Sequence, residues 1–503
     1  MSRPVAPFSC LRVRFGGLKF SLLSFVLCAA LFVGGFAAPP QTGLAPLALH
    51  PENPHYFSWD GRPTVLITSG EHYGAVINLD FDYRTYLDTL AADGLNYTRI
   101  FSGAYVEPQG AFKIERNTLA PSDGRFISPW PRSAPSGDPS GRPRFDLSRW
   151  NDAYFDRLTS FIAEAARRRI VVELTLFCPM YEEVQWSLSP MNTANNINRI
   201  GTVARNEAYT LDRDLTLLTA QEALTRKLVT EVNAFPNVFF EIINEPYFGG
   251  VTMAWQHRIA DLIVETERAL PVKHLIAQNI ANKTASIVAP HPAVSIFNFH
   301  YATPPDAIAT NYALNTVIGD DETGFRGVDD EVYRTEGWEF IVAGGGLYNN
   351  LDYSFAVGYE NGTFAYPATQ PGGGSRALRR QLKILRDFIQ GFDLPRMVPD
   401  SSLISGGVPS GGAARALVDR ERAMAIYLLK RRPSSKGADV AASTDTAASA
   451  ALRVNLSAGQ WRAEWIAPIT GAVVGTADVA GGGVREIVPP AYQTDIALRL
   501  RRQ

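Results

Sequence analysis

From residue 64 to residue 391 the chain alternates short runs of apolar and β-branched residues with longer stretches whose apolar positions recur every three or four residues. The short runs predict buried strands and the longer stretches amphipathic helices. Strands are expected at residues 64–68, 95–101 and 170–177, in the run from Phe239 that Pro246 stops, and at 274–278, 294–300, 316–320 and 340–343. Helices are expected at 83–93, 149–168, 219–233, 252–270, 306–313 and 376–391, the first ended by Gly94 as a C-terminal cap and the second started by Asp146 or Ser148. Polar clusters follow the strands, and two long segments, 105–144 and 179–198, are rich in turn formers and aromatics. Loops of that length in a compact domain are usually binding loops. This alternation predicts a parallel (β/α)8 TIM barrel over residues 39–394, with its site at the C-terminal ends of the strands.

Beyond residue 395 the period changes. Runs at 414–418, 423–430, 452–456, 461–466, 473–479 and 496–500 lie between Gly and Pro turns with no helical repeat, which predicts a small antiparallel β-sandwich over 395–503. Within it, 432–449 is built mostly from Ser, Ala, Thr and Asp and is expected to be a disordered loop. At the other end, Arg3, Arg12, Arg14 and Lys19 precede an apolar stretch over 20–36. That is the pattern of a secretory signal peptide over 1–38, with an uncleaved N-terminal membrane anchor as the alternative. A secreted or extracytoplasmic protein is expected. Cys10 and Cys28 fall in this segment, so cleavage leaves Cys178 alone and no internal disulfide.

A chain of 503 residues, 46% apolar, can bury a large core and a smaller one. Its formal charge of −2 offers no basic footprint, and nucleic acid is set aside. With 7 His and neither His-x-x-x-His nor Cys-x-x-Cys spacing, no metal site or cofactor is expected. A Glu71-His72 metal pair is disfavoured against a sugar-contacting or structural role.

The chemistry centres on Phe-Phe-Glu-Ile-Ile-Asn-Glu-Pro-Tyr, 239–247. A buried strand that stops at Pro246 delivers Glu245 to the rim, where a carboxylic acid can protonate a leaving oxygen and the Asn244 amide can hold a hydroxyl. The plainer reading is a turn capping a strand. Side chains alternate, so Glu241 and Glu245 are expected on one face and Asn244 on the other until the chain turns. A barrel gathers distant strand ends, and Asp320-Asp321-Glu322 closes the seventh strand, supplying a second carboxylate with Glu322 preferred. Two carboxylates about 5 Å apart favour a retaining double displacement, and a wider gap favours inversion. Arg99, inside an apolar strand, is expected to meet Glu241 or Glu322. Cys178 has no His and Asp or Asn partner by position and is not read as a nucleophile.

Asn244-Glu245-Pro246, Arg99 on the second strand, His300-Tyr301 after the sixth and Glu322 after the seventh together resemble the clan A glycoside hydrolases, nearest to the cellulase-like glycoside hydrolase family 5. The resemblance covers roughly residues 64–392. It implies a retaining hydrolase of β-linked glycosides or polysaccharides in which Glu245 is the acid/base and Glu322 the nucleophile. It further implies that Arg99 and Tyr301 orient the nucleophile, that Asn244 binds the sugar 2-hydroxyl, and that His300 lines the neighbouring subsite. Glu71, His72, Tyr348 and Trp186 complete the expected carbohydrate-binding set, Tyr348 following glycines where the family usually places a Trp. Trp130, Trp186, Tyr181 and Tyr348 stack on sugars in one reading and anchor their loops in the other. The C-terminal sandwich resembles a domain labelled collagen-binding that follows such barrels, and is read as packing against the barrel. A catalytically idle barrel that binds glycans or attaches to a surface is the alternative; a matrix peptidase finds no triad or metal site.

Overall fold

Eight runs of strand formers make one parallel sheet that curls into a nearly closed barrel: β1 (Leu66–Gly70), β2 (Tyr97–Phe101), β3 (Val171–Phe177), β4 (Val238–Ile243), β5 (Ile276–Asn282), β6 (Ile296–His300), β7 (Val317–Thr323) and β8 (Leu347–Leu351). The order is β1-β8-β7-β6-β5-β4-β3-β2. At the seam between β1 and β2 no ladder forms. Instead the Asn96 side chain accepts from the Ile67 amide at 2.9 Å and donates to the Val65 carbonyl at 2.9 Å, so a side-chain amide satisfies backbone groups that a ladder would otherwise pair. The computed structural model describes residues 43–133, 143–431 and 450–503. The expected signal segment and the 432–449 loop lie outside the described residues. All described residues belong to one unit, Pro39–Gln503.

Helices cover the outside: α1 (Tyr83–Ala92), α2 (Asp152–Arg167), α3 (Glu183–Leu188), α4 (Leu215–Val232), α5 (Met253–Glu267), α6 (Asp306–Asn311), α7 (Asp330–Val342) and α8 (Arg376–Ile389). Side chains cap several N-termini: Asp82, Asp214, Thr252, Asp329 and Ser375 each accept from a first-turn amide. The N-cap of α2 is Asn151, not Asp146 or Ser148; Asp146 instead accepts from the Ser148 amide in the preceding turn.

One sequence expectation fails here. Residues 340–343 are not the eighth strand; Phe340, Ile341 and Val342 close α7. From Val332 onward every residue of that helix is buried. A helix covered on all sides loses its amphipathic stripe and leaves an apolar run that reads as a strand. The eighth strand follows Gly344, Gly345 and Gly346 and carries Asn349 and Asn350, polar residues that disguise it.

The barrel floor is apolar. Leu66, Tyr97, Val171, Phe239, Ala277, Ile296, Val317 and Leu347, one from each strand, form a cluster closed from below by Phe57 and Trp59 of a short three-stranded antiparallel sheet.

The C-terminal region is two packed antiparallel sheets. Its strands are β9 (Val398–Pro399), β10 (Ile404–Gly406), β11 (Ala413–Asp419), β12 (Ala423–Leu429), β13 (Leu452–Leu456), β14 (Gln460–Ile466), β15 (Val473–Ala480), β16 (Gly483–Ile487) and β17 (Asp495–Arg502). The larger sheet runs β9-β11-β12-β17-β14-β15 and the smaller β10-β13-β16. Ile426, Leu428, Leu498, Trp461 and Trp465 fill the space between them with Leu452, Val454 and Leu456. The opposite face of β12 and β17 belongs to the barrel's own core through Tyr427, Leu429 and Ala497. Alternation along the strands thus serves two cores. At this junction Trp338 of α7 stacks on Tyr427 with ring centroids 5.5 Å apart, and Arg334 of α7 pairs with Asp495 at 3.0 Å.

Candidate active site

Above the apolar floor the barrel interior becomes charged. Arg99 is buried, with Nε 3.2 Å from Glu241 Oε2 and 3.3 Å from Asp321 Oδ2, and Nη1 3.4 Å from Glu322 Oε2. Its Nη2 donates to Asn244 Oδ1 at 2.7 Å and also to Glu241. Both partners expected of Arg99 are therefore present. Glu173 completes the layer, accepting from Asn298 Nδ2 at 2.9 Å and from the Tyr97 hydroxyl. So many acids cannot all ionise around one guanidinium. Burial and the neighbouring carboxylates push Glu173 well above the ordinary range, and burial carries Glu241 to about 7.

Backbone irregularities aim the two rim carboxylates. At the end of β4, Glu245 adopts φ +34°, and after β6, Tyr301 adopts φ +51°. Left-handed conformations in residues bearing side chains are strained and persist where the surroundings impose them. Asn244 and Glu245 consequently both face the mouth, although plain strand alternation would have separated them. In β7 the register shifts: Asp320 pairs with Phe299 and Glu322 with His300, leaving Asp321 as the extra residue. The bulge turns consecutive acids, Asp321 and Glu322, into the barrel. Asp320 takes a different place, accepting from the Ala302 amide at 3.3 Å, and burial raises it well above the carboxylate range.

The two rim carboxylates meet across His300. Its Nδ1 lies 3.1 Å from Glu245 Oε1 and 3.5 Å from Glu322 Oε1, and its Nε2 lies 3.3 Å from Asp321 Oδ1. One carboxylate oxygen from each glutamate and one His300 nitrogen lie within 4.8 Å of one another. Tyrosines fix the rest. Tyr181 and Tyr247 donate to Glu245 at 2.6 and 3.1 Å, while Tyr73 and Tyr301 donate to Glu322 at 2.9 and 2.8 Å. Asn244 Nδ2 donates to the Tyr181 hydroxyl at 2.8 Å.

Charge follows from these contacts. Burial disfavours an imidazolium, but Glu322, Asp321 and Glu245 around it carry His300 well above its ordinary value. Burial pushes Glu245 up, and the hydrogen bonds from His300, Tyr181 and Tyr247 outweigh it, holding this carboxyl below the usual range. The His300 ring lies between the two carboxylates, where its raised affinity for a proton offsets their closeness. Burial likewise raises Asp321 and is overcome by Arg99 and His300.

Among the described residues two trios of ligand-type atoms gather this closely, Glu245-His300-Glu322 and Glu173-Glu241-Asp321. The second already has a cationic partner within the protein, Arg99.

Of the other expected site residues, Glu71 and His72 lie beside the mouth. Glu71 accepts from the Gly74 and Ala75 amides at 3.0 and 2.9 Å and from the Thr118 hydroxyl, and burial raises it to about 7. It ties the loop after β1 to the loop after β2. The His72 ring stacks on Tyr73, and its Nε2 lies 3.5 Å from Glu107. Both His72 nitrogens are buried without a hydrogen-bond partner. Tyr348 and Trp186 are placed elsewhere. Tyr348 donates to the Tyr333 carbonyl at 2.7 Å and packs over Gly337 of α7, outside the barrel, while Trp186 donates to the Val203 carbonyl at 3.2 Å within its loop. The residues not singled out from sequence are Tyr73, Tyr247, Glu173 and Glu107, while Asp321 is named there only beside the preferred Glu322. A lone tyrosine in a loop carries no periodic signal, whereas an acid in an apolar strand, such as Glu173, is a readable anomaly.

No protein-family model matches the sequence, and no curated protein matches it. Solved structures do. A glycoside hydrolase superimposes with a TM-score of 0.60 at 14% identity, covering 91% of this chain and 97% of its own. A glycoside hydrolase family 5 protein from Bacteroides vulgatus gives 0.59 at 14% identity, covering 92% and 95%. The likeness is one of fold, and it spans barrel and sandwich together.

Proposed function

We propose that the protein is a retaining glycoside hydrolase that cleaves β-linked glycosides, exported by its N-terminal segment. The observation that carries the reading is that one carboxylate oxygen of Glu245 and one of Glu322 lie within 4.8 Å of each other at the mouth of the barrel, each carboxylate held by two tyrosines. Carboxyl groups about 5 Å apart suit direct attack on the sugar, because no water fits between carboxylate and anomeric carbon. The fold shared with glycoside hydrolases supports it.

In the first step Glu322 attacks the anomeric carbon, the bond to the leaving oxygen breaks, and Glu245 gives that oxygen a proton. In the second, water attacks the glycosyl ester, its proton passes to Glu245, and Glu322 leaves as carboxylate. Glu245 must be protonated for the first step, yet its surroundings favour the anion. His300 Nδ1, 3.1 Å from Glu245 Oε1, holds the proton this step requires. Tyr73 and Tyr301 donate hydrogen bonds to Glu322 and Arg99 lies 3.4 Å from it, which holds the carboxylate in position for attack.

The assignment of Glu245 is tested by Glu245→Ala. It is expected to spare hydrolysis of activated aryl glycosides at least about tenfold more than that of alkyl glycosides, since a good leaving group needs less acid help. Equal loss on both, measured as kcat/KM, contradicts it.

A further inference from the structure

The segment between β2 and α2 turns through an unusual backbone. Gly110 has φ +79°, and Phe112 and Lys113 follow at +54° and +63°. Two consecutive side-chain-bearing residues in the left-handed region are rare outside places where the surroundings over-determine them. The turn is fastened from several sides. The Lys113 amide donates to the Gly110 carbonyl at 3.1 Å, the Glu115 amide to Gln370 Oε1 at 3.1 Å, and Ala111 and Ile114 are buried on either side of the Phe112-Lys113 pair. Phe112 itself is 38% exposed.

The strain places one ring. Phe112 meets Tyr181 edge-on with centroids 5.4 Å apart, and Phe325 at 6.3 Å. Tyr181 is hydrogen-bonded to Glu245, and Phe325 packs at 6.5 Å on Tyr301, which is hydrogen-bonded to Glu322. A continuous chain of rings therefore runs from one carboxylate to the other with Phe112 at its centre. Beneath it Glu245 and Glu322 are only 8% and 5% exposed.

We propose that Phe112 is a specificity-determining residue: it roofs the catalytic pair, so that the site takes short β-glycosides and chain ends and excludes the interior of a polysaccharide. This rests on the glycosidase reading and deepens it. A polymer cut internally must extend to both sides of the bond held between Glu245 and Glu322. The ring that bridges the two sides stands in that path, while its apolar face offers a terminal sugar a stacking surface.

The test pairs 4-nitrophenyl β-D-glucoside, β-D-mannoside and β-D-xyloside with carboxymethyl cellulose, mannan and xylan, and compares wild type, Phe112→Ala and Phe112→Tyr, with Glu322→Ala as the blank. Wild type is expected to prefer the aryl glycoside of its sugar over the polymer. Phe112→Ala should shift the polymer-to-aryl ratio of kcat/KM upward by about tenfold, through a lower KM for polymer and a higher one for the aryl substrate. Phe112→Tyr should keep the wild-type ratio, and matching melting temperatures exclude misfolding as the cause. Hydrolysis with an unchanged ratio in Phe112→Ala, or a wild type that prefers polymer, overturns the roof and leaves the glycosidase reading standing. Silence of the wild type on every substrate overturns both.

Discussion

His300 is where the electrostatics of the site converge, because three carboxylates face one imidazole. Its folded pKa lies above its ordinary 6.5, so the charged ring contributes stability that is fully present below about pH 6.5. That stability disappears as pH rises through the folded value. Glu71 and Glu241, raised from 4.5 to about 7, lose stability in the same direction over that lower window. Urea unfolding of wild type and His300→Asn is therefore expected to show a stability gap that is larger at pH 6 than at pH 9; a gap independent of pH would contradict the shared proton. Much of this constellation was legible in the sequence. Glu245, Glu322, Asn244, Arg99 and His300-Tyr301 all sit at strand ends or within apolar strands, where polarity stands out. Tyr73 and Tyr247 were not, since a tyrosine near a turn looks the same whether or not its hydroxyl reaches a carboxylate. Nor does the pair of carboxylates alone announce the state of Glu245, because burial raises it and the hydrogen bonds from His300, Tyr181 and Tyr247 outweigh that, holding it below the usual range.

The strands place these groups only through their departures from regularity. In β7, two residues before the bulge at Asp321, Gly319 leaves room for the facing Asn298 of β6: a Cβ there would lie 2.4 Å from Asn298 Oδ1. Asn298 in turn donates to Glu173. Gly319→Ala is expected to displace that amide and to cost about 1–3 kcal/mol, typical of overpacking in a filled core. An unchanged urea midpoint would show that the charged layer is looser than its hydrogen bonds indicate. Element identity was readable for most elements with one face in solvent, though not for the short α3, which reads as part of the 179–198 loop. It failed at α7, where packing on every side erases the helical period, and at β8, where Asn349 and Asn350 set two buried polar residues in the middle of the strand. Their amides donate to the Asp321 carbonyl and to Ser69 Oγ, contacts that no local pattern announces.

Across the whole molecule the sandwich packs on the outside of the barrel against α7. Tyr427 and Ala497 of the larger sheet belong to the barrel's core, and Arg334 and Trp338 of α7 reach into the junction. This supports the reading of the C-terminal region as packing and predicts one cooperative unfolding transition. Asp495 accepts from Arg334 and from the Tyr427 hydroxyl at 2.9 Å, and is buried. Asp495→Ala leaves Arg334 buried with its strongest partner gone and should cost about 3 kcal/mol. Two separated transitions in calorimetry, or a variant as stable as wild type, would mean the two regions are only tethered. The change of period near residue 395 marked the boundary in the sequence, but not the shared core, because the same alternation serves a free sandwich and a docked one.

The central claim is a double displacement with Glu322 as nucleophile. It is tested most directly by following the anomeric configuration of the first sugar released, by proton NMR, from wild type and Glu322→Ala on aryl β-glycosides. Release of the β-anomer by wild type and none by Glu322→Ala is the predicted result. First release of the α-anomer, or turnover that survives Glu322→Ala, would contradict it.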